Sequence, residues 1–213
     1  MNFSLKKLAA YCLEHSTRID GVLLELERET NLKTLAPQMI SGPLQGQLFM
    51  LISRMIQPRS VLEIGTFTGY STICLASGLS DDGSITTIES NQELAFISQK
   101  YFSKAGISER VNQLWGDARQ LVTELEGPFD LVLIDAGKKD YGYYFDQVID
   151  KLQQGGVIIV DNVLWSGKVT GQRKDNDTQT MDQFNKKIRD DERVDQVMLP
   201  IRDGISLIIK NQN

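Results

Sequence analysis

Residues 129–162 read FDLVLIDAGKKDYGYYFDQVIDKLQQGGVIIVDN. The two apolar runs, FDLVLID (129–135) and GVIIVDN (156–162), are short and rich in β-branched residues, the signature of strands buried on both faces. Between them, 141–153 has a helical pattern. Strand, helix and strand in succession form the crossover unit of a parallel sheet. Each run ends in an acid, Asp135 and Asp161, and Asn162 follows the second. Ligand crevices of open α/β sheets lie at the carboxyl ends of the strands.

Working outward, the same alternation repeats. SVLEIG (60–65) precedes a helix over 69–79, SITTIES (84–90) one over 92–105, and VNQLWG (111–116) a short one over 118–126. After 162 come a polar loop and a helix over 178–191, then VDQVMLPI, an Asp203-Gly204 turn and ISLIIK, which read as an antiparallel hairpin. Upstream, 3–15, 18–30 and 44–56 have helical periodicity, and 37–43 is a loop. Leu5, Leu8 and Cys12 form one apolar stripe; Leu23, Leu24 and Leu26 form another. The prediction is one α/β domain over 1–213: a Rossmann-like, doubly wound, mixed seven-stranded sheet closed by the hairpin.

Composition narrows the function. The chain has 213 residues, 41% hydrophobic and 24% charged, which are globular values. Net charge is −5 with no basic run, so no nucleic-acid surface is advertised. No segment approaches a membrane span. The apolar N-terminal run is short and broken by Glu14, unlike a signal peptide. Cys12 and Cys74 form no CxxC pair and read as reduced residues of a cytoplasmic protein. The one histidine, His15, lies in a predicted helix far from every strand end. A histidine-assisted hydrolase and a His-rich zinc site are thereby disfavoured.

Chemistry concentrates at the strand ends. The first gives Glu63-Ile64-Gly65-Thr66-Phe67-Thr68-Gly69-Tyr70-Ser71. This GxxxG turn lacks the GxGxxG of dinucleotide binders; by itself it reads equally as a tight strand–helix turn. Glu63 just before it can attract an ammonium or sulfonium. Glu89 ends the second strand, where a carboxylate can accept from both ribose hydroxyls; the alternative is a solvated acid. Gly116-Asp117-Ala118 ends the third, where an adenine amino group could be read. A cation, a ribose and an adenine contact in series suit S-adenosylmethionine better than a dinucleotide.

Asp135, Asp161 and Asn162 offer three oxygens to a hard cation such as Mg²⁺. The plain alternative is that they cap turns. Lys138 follows Asp135 by one turn. Beside a divalent cation an ammonium gives up its proton more readily, which makes Lys138 a candidate base rather than only a surface lysine. Trp165 is the candidate wall for a flat acceptor, whereas Tyr141 and Tyr144, on a helix with Phe145, read as core.

VLEIGTFTGYS, ITTIES, GDA, DLVLIDAGKKDY and GGVIIVDNVLWSGKV together resemble the cation-dependent O-methyltransferases, the caffeoyl-CoA and catechol O-methyltransferase relatives, small bacterial members included. The similarity extends to QMISGPLQGQLF and LPIRDGISLIIK, and so covers almost the whole chain. It implies the class I methyltransferase fold, with Asp135, Asp161 and Asn162 as ligands for Mg²⁺ (or Mn²⁺ or Ca²⁺) and Lys138 as the base. Glu63, Gly65, Phe67 and Ser71 would surround the methionine part of S-adenosyl-L-methionine, Glu89 its ribose, and Asp117 and Ala118 its adenine. Asp135 would also border the cofactor, and Met39 and Ser41 would lie near the cofactor and the reaction centre. It further implies a homodimer, with the helices of 1–56 contributing to it and to the substrate site. The implied acceptor is a catechol-like aromatic; a hydroxylated nucleoside in tRNA is the alternative. Many relatives have DADKKDY where this chain has DAGKKDY, with Gly137 for an acid.

Overall fold

The computed structural model describes residues 5–212. Residues 3–4 of the first predicted helix, and the Leu5 side chain, lie outside the described residues. Three helices come first: α1 (Leu5–Glu14), α2 (Gly21–Lys33) and α3 (Pro43–Ile56), with a 3₁₀ turn at Pro37–Met39. The alternating part follows as β1 (Ser60–Ile64), α4 (Tyr70–Ala76), β2 (Ser84–Glu89), α5 (Ala95–Lys104), β3 (Val111–Trp115), α6 (Ala118–Glu124), β4 (Phe129–Ile134), α7 (Tyr141–Ile149) and β5 (Leu152–Asp161). A 3₁₀ segment (Trp165–Thr170), α8 (Asn176–Arg189), β6 (Val194–Leu199) and β7 (Ile205–Lys210) complete it.

The seven strands run in the order β3-β2-β1-β4-β5-β7-β6. β1 to β5 are parallel, and β7 is antiparallel to β5 and to β6. The mixed doubly wound sheet expected from the alternation is the one observed. The order reverses between β1 and β4, so their carboxyl ends open a crevice.

Strand alternation splits the core in two. Leu62, Ile64, Val132, Ile134, Ile158 and Val160 face α6, α7 and α8. Val61, Leu131, Leu133 and Ile159 face α2 to α5. Both faces being covered is why these strands read as continuous apolar runs. The helices start where local chemistry favours it. Asp20, Asp117 and Asp175 cap α2, α6 and α8 by accepting from Val22, Arg119 and Thr178 N–H groups, and Pro43 occupies the first turn of α3.

Three expectations are corrected. The helix predicted to 153 stops at Ile149, and β5 starts at Leu152 rather than 156. Leu152 pairs with Phe129, and the Phe129 N–H donates to the Lys151 carbonyl at 2.9 Å, so cross-strand bonding captures the end of the helical pattern. In α2 the buried positions are Leu23, Leu26 and Thr30, while Leu24 is exposed: the true helical phase skips it. Leu8 and Cys12 of the α1 stripe are exposed and bury nothing within this chain.

Candidate active site

One cleft of about 880 Å³ opens at the carboxyl ends of β1 to β5, a size suited to a nucleoside-sized ligand with a small acceptor. It is lined by Met39, Ser41, Gly65, Phe67, Ser71, Glu89, Asp117, Ala118, Asp135, Lys138, Asp161, Asn162 and Trp165. Every residue named in the sequence as a candidate for the site is therefore here, with one exception. Glu63 is fully buried behind the wall, where it accepts from Thr72 (2.5 Å) and Thr87 (2.6 Å). Among the described residues its other oxygen has no hydrogen-bond partner. Burial pushes this carboxyl up to about 7, against the pull of the hydroxyls of Ser71, Thr72 and Thr87.

One half of the cleft is built by β1 and β2. Gly65 has φ +106, and a Cβ there would lie 2.1 Å from the Asp135 carbonyl oxygen, so only glycine lets β1 and β4 end so close together. Glu89 is not a free acid. Its Oε2 accepts from the Phe67 N–H at 2.7 Å and its Oε1 from the Asn91 N–H at 2.8 Å, which fixes the carboxylate at the rim. Asp117 lines the cleft while also capping α6.

The other half centres on Lys138. Its Nζ donates to Asp135 Oδ1 at 2.9 Å, Asn162 Oδ1 at 2.5 Å and the Tyr141 hydroxyl at 2.7 Å. Two oxygens from different strand ends thus already converge on one cationic atom. Asp161, only 3% exposed, has its carboxyl raised by burial and by the neighbouring Asp135 carboxylate. It accepts from Gln45 Nε2 at 2.6 Å and from the Asn162 N–H at 2.7 Å. At this end of the cleft two carboxylates, Asp135 and Asp161, stand beside the Lys138 ammonium, and they and Asn162 offer oxygens alone. Such a set fits a hard divalent cation. Among the described residues no group of three or more His, Cys, Asp or Glu is placed to hold a metal ion, so here the protein offers two acids and an amide.

Tyr141 does more than pack. It is fully buried, donates to the Asp161 carbonyl at 3.0 Å, and holds the lysine. Burial, then Asp135, keeps its hydroxyl well above the usual range, so it stays a donor. Tyr144, also expected only in the core, lines the cleft. Gln45 and Arg202 went unread in the sequence, and Asp203 was read only as part of a turn. Gln45 had a signal: it shares the buried stripe of α3 with Phe49 and Ile52. Four of the six non-glycine residues with positive φ among those described, Phe67, Asn162, Trp165 and Arg202, line this cleft. Backbone strain of this kind concentrates at functional sites. His15, by contrast, is exposed and stacks on Tyr11.

Comparison with known proteins agrees with this geometry. Residues 13–211 match a family described as O-methyltransferase. Caffeoyl-CoA O-methyltransferase of Stellaria longipes is 30% identical over 94% of this chain and 89% of that protein. Catechol O-methyltransferase of Niastella koreensis is 37% identical over 62% of each chain. The O-methyltransferase TomG of Streptomyces achromogenes, solved with S-adenosylmethionine and involved in tomaymycin synthesis, superposes with a TM-score of 0.88 at 29% identity, over 97% of this chain and 96% of that one. A cofactor-sized cleft at the strand ends, on a sheet shared along nearly the whole chain, makes this protein a member of the O-methyltransferase family and an S-adenosylmethionine-dependent enzyme.

Proposed function

We propose that this enzyme is divalent-cation-dependent and moves the methyl of S-adenosylmethionine to one hydroxyl of a catechol-like small aromatic. The observation that carries the reading is Lys138, whose Nζ is gripped at once by Asp135, Asn162 and Tyr141 inside the cofactor cleft. The names of the caffeoyl-CoA and catechol O-methyltransferases among the relatives support the acceptor class.

Asp135, Asp161 and Asn162 would hold the cation; when bound, it acidifies a neighbouring hydroxyl and orients a diol. Lys138, as the free amine once its own proton has passed to solvent, would take the hydroxyl proton at Nζ, with Tyr141 fixing the direction of approach. The acceptor oxygen then bonds to the methyl carbon as the sulfur departs, leaving S-adenosylhomocysteine. Gly65, Phe67 and Ser71 would flank the methionine part of the cofactor, Glu89 its ribose, and Asp117 and Ala118 its adenine. Met39 and Ser41 would stand at the junction, and Trp165 would form one wall for the ring. Alignment inside a water-poor cleft supplies most of the barrier reduction.

The test is transfer of labelled methyl to a catechol panel with Mg²⁺ and with chelator. Chelator-sensitive transfer that Asp161→Ala abolishes, with cofactor binding spared, is the expected result. Transfer indifferent to both would overturn the cation reading; a catechol panel left untouched would overturn the acceptor class.

The proposal extends to assembly. Exposed Met55, Val197 and Ile209 surround an apolar groove of about 390 Å³ between α3 and the β6–β7 hairpin. A second copy of the chain covering this face would form the homodimer, and light scattering of Val197→Asp should then report a monomer. A cytoplasmic site of action accords with two unpaired cysteines. No helix among the described residues is long and apolar enough to cross a membrane.

A further inference from the structure

The turn joining β6 to β7 reaches into the cleft, which nothing in its sequence had suggested. Arg202 and Asp203 line it beside Trp165 and Ser41. Arg202 Nη1 donates to the Ile40 carbonyl at 2.6 Å and to the Ser41 carbonyl, and its Nη2 to that of Gln38 at 3.4 Å. One guanidinium thus ties together three carbonyls of the segment carrying Met39 and Ser41, from 160 residues away along the chain. The planar fork of arginine suits this; a lysine could not span the same set. Arg202 adopts φ +51 to do so, a conformation that costs a β-carbon-bearing residue energy and persists only where surroundings impose it.

Asp203 performs the matching task on the segment that follows β5. Its Oδ1 accepts from the Ser166 N–H, and its carbonyl accepts from the Leu164 N–H at 2.8 Å. The Gly204 carbonyl accepts from Val163 at 3.1 Å. Gly204 packs so closely that a Cβ would lie 2.3 Å from Leu164 Cγ. The segment so fixed carries Trp165, whose buried Nε1 has no partner. Two adjacent residues of one turn therefore brace two separate segments that line the cleft.

We propose that Arg202 and Asp203 are positioning residues that set the spacing of these walls, and through it which of two adjacent hydroxyls is methylated. The inference rests on the catechol reading above. A substituted catechol can enter with either hydroxyl toward the methyl donor, and the two poses place the ring substituent on opposite sides. Wall spacing discriminates between them, and displacement of about 1 Å is enough to change rates strongly.

The test compares Arg202→Gln and Asp203→Asn with the parent enzyme in three measurements. On a dihydroxybenzoate, the meta-to-para product ratio should move at least about threefold and the acceptor KM rise about tenfold. S-adenosylhomocysteine affinity by calorimetry should stay within about twofold of the parent for Asp203→Asn, whose segment carries no assigned cofactor contact. In hydrogen exchange without acceptor, Arg202→Gln should speed exchange at 38–42 and Asp203→Asn at 164–168. An unchanged product ratio and KM would overturn the specificity role, even with a lowered melting temperature. If the parent methylates no catechol, the catechol reading fails by itself. Exchange then decides the bracing, and unaltered exchange at both segments overturns it.

Discussion

Gln45 Nε2 lies 2.6 Å from Asp161 Oδ2, a fully buried contact between α3 and the end of β5. Among the described residues no other side chain donates to this carboxylate, and the amide oxygen of Gln45 has no partner of its own. The N-terminal helices are thus wired directly into the acidic end of the cleft. Replacing Gln45 with Leu should strip Asp161 of a donor, raise its carboxyl further and weaken cation affinity by about tenfold to a hundredfold, the usual cost of losing an outer-sphere partner. Isothermal titration with Mg²⁺ or Mn²⁺ reads this directly, and unaltered affinity would refute it.

Lys138→Met removes the proposed base while keeping much of the side-chain volume. We expect kcat to fall by about 10²- to 10⁴-fold, with S-adenosylhomocysteine affinity retained, because no cofactor contact is assigned to the ammonium. Tyr141→Phe should give a smaller loss of the same kind, since the lysine keeps Asp135 and Asn162. Equal losses in kcat and in cofactor affinity would instead indicate a collapsed cleft.

Glu63 gives a pH dependence of definite sign. Its carboxyl is raised from 4.5 to about 7 in the folded chain. The folded state therefore holds a proton that the unfolded state has lost. This stability is present in full below about 4.5 and disappears as pH rises through about 7. Between pH 5 and 8, in chelator, the parent should lose on the order of 2–3 kcal/mol relative to Glu63→Gln, whose amide does not titrate. Urea titrations of both proteins at each pH make the comparison; parallel profiles would refute it.

Gly65→Ala should destabilise the fold by about 2–4 kcal/mol, combining a disfavoured φ with a clash on the Asp135 carbonyl. Cofactor affinity should fall with it, since the same shift moves both Phe67 and Asp135. A melting temperature equal to that of the parent would contradict the geometry.

The architecture was legible because parallel strands buried on both faces leave long apolar runs, and the acids that end them stand out. The same property exposed Glu89, Asp135 and Asp161 as a row. What stayed hidden depended on contacts between distant segments. Nothing local in VIDKLQ says that Leu152 will pair with Phe129. Glu63 could be seen as acidic, but whether it faces the cleft or the layer behind depends on the pleat of β1 relative to α4. Arg202 sits in a turn whose neighbours are set only once β6 and β7 have docked on β5. Tyr141 was read as core and is core; its hydroxyl is what reaches Lys138.

The left-handed residues around the cleft carry a lesson for anyone wishing to make this enzyme hardier. A scan for unfavourable backbone angles would nominate Phe67, Asn162, Trp165 and Arg202 for replacement by glycine. Such changes relieve strain where the position has no other duty. Here each of them lines the reaction chamber. Thermal robustness should therefore be sought on the distant helices, because the most obvious improvements would erase the shape that does the chemistry.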